Sequence, residues 1–142
     1  MGMMSRDVRS GKIRRDPFTE RLGIHNEIHE DGVCITTHRS SEDESNIYGV
    51  VHGALLFAMA DVGMGMALAA ALPGEPRLGS ISITANFISA GKPGLITAKS
   101  RVVRRGRAVA FLETEISDGG GSPCARFSGI FHIYSGGGEQ AR

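Results

Sequence analysis

Between Gly53 and Leu72 the chain carries one charge, Asp61; the other nineteen residues are Ala, Leu, Met, Phe, Val and Gly. A carboxylate in such a stretch is costly to bury without partners, and burial raises its pKa, making it a stronger base than a surface Asp. On a helix its neighbours are Ala54, Phe57, Ala58, Met64, Gly65 and Leu68, none able to pair with it. Its partner must come from another element, another subunit or a ligand. Two readings stay open at this level. Asp61 is a structural carboxylate satisfied by amides or a hydroxyl at an interface, or it is a base aimed at a substrate.

His52 and Gly53 stand where this helix would begin. Helix N-termini present free N–H groups and a dipole that favours negative charge. A glycine there lets a carbonyl approach the backbone closely. An oxyanion site needs those features, although an ordinary helix start has them too. Gly53 and Asp61 are eight residues apart, about 12 Å along a helix axis. They cannot both touch one carbonyl from the same helix. If both act on one substrate, Asp61 comes from a second subunit, and the protein is a dimer with shared sites.

The elements that position these residues are legible in the surrounding pattern. Asp16-Pro17 starts a short helix that Gly23 ends. Ile24–Glu30 and Val33–Thr37 form strands around the turn Asp31-Gly32. His52–Leu72 is the long helix, stopped by Pro73-Gly74. From Leu78 the period changes to two, with Ile81, Ile83, Ala85 and Phe87 alternating with polar residues. Strands over Leu95–Val103, Ala108–Ile116 and Pro123–Tyr134 follow, and the last four strands are expected to form a meander. Residues 1–15 read as a disordered arm, 16–135 as a single domain and 136–142 as a flexible tail. The expected architecture is α+β, one antiparallel sheet wrapped around a helix that is apolar all round and therefore buried all round. The helix is long enough to span a membrane, but its three glycines, its carboxylate and a sheet in need of a core favour burial.

Composition narrows the function further. The net charge is +1 over 142 residues, which gives no electrostatic case for nucleic acid or an anionic membrane. The basic N-terminus lacks an apolar stretch behind it and does not read as a secretory signal, and its Met-Gly start lacks a myristoylation context. Cys34 and Cys124 make no disulfide framework, which fits a reducing cytoplasm. His25 and His29 lack a third metal ligand, so no metal is expected.

Asn46-Ile47-Tyr48-Gly49-Val50-Val51-His52-Gly53-Ala54, followed by Asp61, resembles the signature of hotdog-fold acyl-CoA thioesterases of the phenylacetate-degradation (PaaI-like) type. That pattern is an Asn, a Gly three residues on, His-Gly-Gly, and an Asp eight residues after the first Gly of the pair. The Asn-to-Asp spacing of fifteen is met. Val103-Arg104-Arg105-Gly106-Arg107-Ala108-Val109-Ala110 resembles the family's basic strand-turn-strand. The resemblance spans Leu22 to Tyr134. Two departures are Ala54 in place of the second Gly, which would narrow the space near the carbonyl, and the absence of a Pro that often follows the third strand, in Ser89–Gly94.

The resemblance implies a hotdog fold and a hydrolase that needs no cofactor. Asp61 would be the general base for water or the nucleophile, and the Gly53 N–H would polarise the thioester carbonyl. Asn46 would hold the water or the carbonyl, and His52 would orient the loop or the thioester end. Ser80 matches a hydroxyl that aids the water, and Gly49 belongs to the substrate-binding turn. Phe57 and Met64, with Leu68, would line the acyl pocket, and Arg104, Arg105 and Arg107 would meet the CoA phosphates or serve only as a solvated turn. The partner is an acyl-CoA, and the assembly a homodimer with shared sites that pairs into a homotetramer. A thioester carbonyl has little resonance stabilisation, so a positioned water or carboxylate and one amide donor suffice. A hotdog hydratase or dehydratase, or a non-catalytic acyl-CoA-binding module, are the alternatives.

Overall fold

The structure, a computed structural model, describes residues 4–6 and 13–135, with side chains from Asp16 onward. The tail expected from Gly136 lies outside the described residues, as does much of the N-terminal arm. Within that arm, β1 (Met4–Arg6) and β2 (Ile13–Arg15) pair antiparallel.

Helix α1 (Pro17–Leu22) forms for the reasons its sequence gives. The Asp16 carboxylate accepts from the Thr19 N–H at 3.3 Å and the Thr19 hydroxyl at 2.7 Å, and Pro17 sits where no donor is needed. Gly23 ends the helix at φ +72°, a left-handed conformation that favours glycine.

Six longer strands form one antiparallel sheet: β3 (His25–Glu30), β4 (Val33–Arg39), β5 (Arg77–Phe87), β6 (Leu95–Arg105), β7 (Val109–Ser117) and β8 (Pro123–Tyr134). Their order is β3-β4-β6-β7-β8-β5. The expected meander is therefore corrected at its first member. β5 pairs with β8 at the far edge and not with β6. The segment Ile88–Gly94, whose Gly91-Lys92-Pro93-Gly94 reads as a turn between neighbouring strands in the sequence, instead crosses the end of the sheet. There the Gly91 carbonyl accepts the Val51 N–H at 3.0 Å, and the Lys92 carbonyl accepts the Gly119 N–H at 2.9 Å.

The concave face of the sheet holds α2 (Gly53–Ala71). Alternate residues of β4, β6 and β7 are buried against it, as a period-two strand with one covered face requires. Met59, Met64, Ala67 and Leu68 of α2 are fully buried, each larger side chain contributing about 1.5–3 kcal/mol of transfer free energy. Gly63 sets how closely the helix lies on the sheet. A Cβ there would fall 2.6 Å from Ser100 Oγ and 2.8 Å from Thr36 Oγ1. Among the described residues α2 is the one helix long and apolar enough to cross a membrane, and here it forms the core of a sheet. This is the α+β hotdog arrangement that the sequence resemblance implies.

Candidate active site

Asp61 lies midway along α2, half-buried on the side that faces the start of β5. Burial raises its pKa above the ordinary carboxylate value, the negative charge of Asp16 raises it further, and a hydrogen bond from the Ser80 hydroxyl partly offsets both. The partner that the helix itself could not supply is therefore Ser80. It stands just before a bulge in β5, where Ser80 pairs with Phe131 and Ser82 with Ile130, so that Ile81 is left outside the ladder.

The other half of the site is the loop that enters α2. A 3₁₀ turn (Glu42–Glu44) is held by a capping box with Ser41. The Asn46 carbonyl accepts the Gly49 N–H at 3.0 Å, and the Asn46 side-chain oxygen accepts from Tyr48 N–H at 2.9 Å. Gly49 closes this turn at φ +76°, which explains the glycine by conformation. The Asn46 oxygen is thus engaged, while its amide hydrogens have no partner among the described residues. His52 caps the helix, and its Nδ1 accepts the Ala54 N–H at 3.0 Å. With Nδ1 accepting, the ring proton resides on Nε2, and His52 borders the groove of Phe18 and Leu22. The Gly53 N–H has no acceptor among the described residues and opens on a cleft of about 440 Å³ lined by Asn46, Gly53, Leu56, Phe87 and Gly91. A Cβ on Gly53 would come within 3.1 Å of the Phe87 ring.

The structure thus brings Asn46 and Gly53 together at one cleft and Asp61 and Ser80 together at another point, and keeps the two groups apart in one protomer. Ala54 lies outside the cleft. It lines a neighbouring groove of about 230 Å³ with Phe18, Leu22 and Ala58, so its methyl does not narrow the approach to Gly53 within the protomer. The expectation for Met64 is corrected. Its side chain is fully buried, packed against Gly129 of β8, and Leu68 is buried with it. Phe57 does reach the surface, edge-on to Phe127 with ring centroids 5.8 Å apart.

Arg104, Arg105 and Arg107 are exposed at the β6–β7 connection. Arg105 shares a sheet row with Ser80 through Ala110 and Phe131, three strand spacings or about 14 Å away. Cys34 and Cys124 are free and buried, and burial pushes both thiols up, which unsuits them as nucleophiles. No group of three His, Cys, Asp or Glu among the described residues is placed to hold a metal ion.

Three features of the site carry little signal in the sequence. Asp16, forty-five residues before Asp61, acts on it only through the fold. Phe18 and Leu22 enter the groove because α1 packs beside α2. His38 and Glu44 meet beneath the Asn46 loop, where the one available hint was the Ser41-x-x-Glu44 capping pattern.

Residues 48–125 match the thioesterase superfamily. A protein of Sulfurisphaera tokodaii provisionally named an esterase is 31% identical over 79% of this chain and 83% of its own. The PaaI protein of the E. coli phenylacetic acid degradation operon is 24% identical and superposes with a TM-score of 0.79 over 86% of this chain and 87% of its own. A Streptococcus pneumoniae thioesterase protein solved with coenzyme A is 21% identical, with a TM-score of 0.71 over 79% of this chain and 86% of its own. These two structures share the fold described above.

Proposed function

The chain belongs to the thioesterase superfamily, and from that premise we propose that it hydrolyses an acyl-CoA thioester with Asp61 as its catalytic carboxylate. The observation that carries this reading is the state of Asp61: half-buried, raised in pKa, and hydrogen-bonded to a hydroxyl, with no cation partner among the described residues. A carboxylate neutralised by Lys or Arg is a poor base; one held by Ser80 keeps its basicity and its orientation. The Gly53 N–H donates to the thioester oxygen as negative charge develops there. Water attacks the carbonyl carbon while Asp61 takes its proton, the C–S bond breaks, and that proton passes to the departing CoA thiolate. In the nucleophilic variant the Asp61 oxygen attacks first and water cleaves the resulting anhydride. Asn46 steadies the carbonyl or the water through its free amide hydrogens, and His52 offers Nε2–H to the thioester end.

A dimer completes the site. β5 is an edge strand of eleven residues with Ile81 and Phe87 half-exposed, a template for pairing with a copy of itself. One end of β5 meets Asp61 at Ser80 and the other meets Gly53 at Phe87. Antiparallel pairing about Ile83–Thr84 sets the Asp61 end of one protomer against the Gly53 end of its partner. It also gives cover to Ile47 and Tyr48, which are 89% and 81% exposed. The CoA phosphates are assigned to Arg104, Arg105 and Arg107, with support from the sheet row that Arg105 shares with Ser80. Two dimers pair into a tetramer, and the two free thiols suit a reducing cytoplasm.

The test is thiol release from short, medium, long and phenylacetyl CoA esters by the wild type beside Asp61→Ala. Turnover of any ester by the wild type and not by the variant supports the reading. No turnover by either, with CoA esters still raising the melting temperature, replaces it with a binding module.

A further inference from the structure

We propose that His38 and Glu44 are positioning residues that latch the Gly53 end of the site, an inference that rests on the thioester-hydrolase reading above. His38 projects from β4 and is 8% exposed. Its Nδ1 lies 3.0 Å from the Gly23 carbonyl at the end of α1, and its Nε2 lies 2.9 Å from both carboxylate oxygens of Glu44. Each ring nitrogen thus faces an oxygen of a different element, and the ring spans the two.

Glu44 is held as firmly from the other side. Its carboxylate also accepts the Ser41 N–H at 2.8 Å and the Ser41 hydroxyl at 3.3 Å. Burial pushes this carboxyl up, but the Ser41 N–H and the His38 ring outweigh burial and leave it below its ordinary value. The main chain of the same residue reaches the catalytic loop. The Glu44 carbonyl accepts the His52 N–H at 2.9 Å, and Ser45 bridges Val51. His52 in turn fixes the start of α2, with its ring on the Ala54 N–H and its carbonyl on the Leu55 N–H, both at 3.0 Å. Gly53 lies between those anchors. Through His38 and Glu44, one clamp joins α1, β4, the 3₁₀ turn and the residue whose N–H meets the substrate carbonyl.

A largely buried polar pair often adds little stability over an apolar pair of the same size, and its attested use is to fix one arrangement among several. The site gains from such fixing, since a misplacement of about 1 Å can cost on the order of a hundredfold in rate. Neither His38 nor Glu44 is asked to touch the reacting atoms.

Four variants test the latch: Glu44→Ala, His38→Gln, Glu44→Gln and the control Arg101→Ala, which breaks an exposed pair with Glu113. Glu44→Ala removes the clamp. His38→Gln cannot bridge Gly23 and Glu44 together. Glu44→Gln re-forms it in neutral shape, with the Gln amide donating to Nε2 and its oxygen kept for Ser41. The expected result is a fall in kcat of about tenfold to a hundredfold for the first two, the range set by misplacement of a positioned group. KM should stay within about threefold in both, as loss of an interaction made only in the transition state requires. Glu44→Gln should recover most of the rate, and the control should be unchanged. Hydrogen exchange at the His52 amide gives a second readout, faster in Glu44→Ala and His38→Gln and near wild type in Glu44→Gln. Should Glu44→Ala not fold, His38→Gln supplies both readouts. Unchanged exchange at His52 overturns the latch, and so does a Glu44→Gln as slow as Glu44→Ala. A wild type that turns over no acyl-CoA overturns the hydrolase reading instead, and the exchange rates still decide whether the clamp holds the loop.

Discussion

The Ser80 hydroxyl donates to the Asp61 carboxylate and so ties the one charge of the central helix to the free edge of the sheet. That contact answers how a carboxylate survives in an apolar helix. It also fixes where along β5 the chemistry lies, because the bulge after Ser80 turns Ile81 out of the ladder at the same point. With no cation opposite among the described residues, Asp61 stays a raised-pKa carboxylate, which is a functional arrangement at a cost in stability.

Asp61→Asn should therefore separate the two properties. Its folded pKa lies above the unfolded value of about 3.9, so the native state holds the proton more tightly than the unfolded chain. The stabilisation from this group is fully present below the unfolded pKa and is lost as pH rises through the folded one. At pH 7 the ionised group opposes folding. The variant is expected to melt a few degrees higher than wild type at pH 7, with a smaller difference near pH 4, while kcat falls by at least about a hundredfold. Thermal melts at both pH values and thiol-release assays check this; a variant that melts lower at pH 7 would contradict the desolvated state of Asp61.

Ser80→Ala removes the contact that lowers the Asp61 pKa and leaves the two causes that raise it. The acid limb of the kcat/KM profile should move to higher pH. A profile from pH 4 to 8 that shows no displacement would mean that Asp61 is not the group titrating on that limb.

Asp16→Asn should move the same limb the other way. Asn caps a helix as well as Asp does, so α1 keeps its start while the negative charge that raises the Asp61 pKa disappears. Combining the variant with Ser80→Ala should bring the limb back toward wild type. A melting temperature close to wild type would show that the cap survived.

Much of this arrangement is legible in the sequence, and the reasons differ by element. Helix α1 is written in Asp16, Pro17 and Gly23, each of which acts within one turn. Helix α2 follows from nineteen uncharged residues around Asp61, but the expectation that it is buried all round is corrected: the sheet covers one face, and the face of Ala54, Phe57 and Asp61 stays exposed or half-buried in the protomer. The position of β5 does not follow, because pairing with β8 and not with β6 is decided by the crossing of Ile88–Gly94 over the sheet end, and local turn chemistry reads that segment as a turn between neighbouring strands. The burial of Met64 was equally hidden. Spacing assigns it to the face of Asp61, but the sheet at Gly129 leaves room for its thioether, and it packs there. Asp16 and Phe18 reach the site only through tertiary packing, and although His38 and Glu44 are six residues apart, nothing in that window says that the chain folds back to join them.

The shared site predicts complementation. Gly53→Val sets a side chain against the Phe87 ring and blocks the amide end, while Asp61→Asn disables the carboxylate end. Each variant alone should be inactive. A mixed dimer carries both lesions in one site and neither in the other, so co-expressed chains isolated as heterodimers should regain about half of the wild-type rate per dimer, by site counting. Light scattering on the same material should show dimers or larger. Heterodimers without activity would place both groups in one protomer, against the 12 Å helical separation.

Gly63→Ala probes how the helix seat controls the carboxylate two residues earlier. The new Cβ would meet Ser100 Oγ at 2.6 Å and Thr36 Oγ1 at 2.8 Å. Neither hydroxyl is free to withdraw, since Ser100 is bonded to Thr114 at 2.7 Å and Thr36 to Asn26 at 2.7 Å, and Ser100 and Thr36 are themselves fully buried. The helix must lift instead. Overpacking of this kind costs about 1–3 kcal/mol, read as a shift in urea midpoint at constant m-value. Lifting α2 also draws Asp61 away from Ser80, so kcat should fall even at temperatures where the variant is fully folded. Adding Ser100→Ala removes the nearer obstacle and should restore part of both quantities, although Thr36 remains and Thr114 loses its partner. A Gly63→Ala enzyme with unchanged stability would mean that the helix has slack at this crossing, and the position of Asp61 would then have to be set by β5 alone.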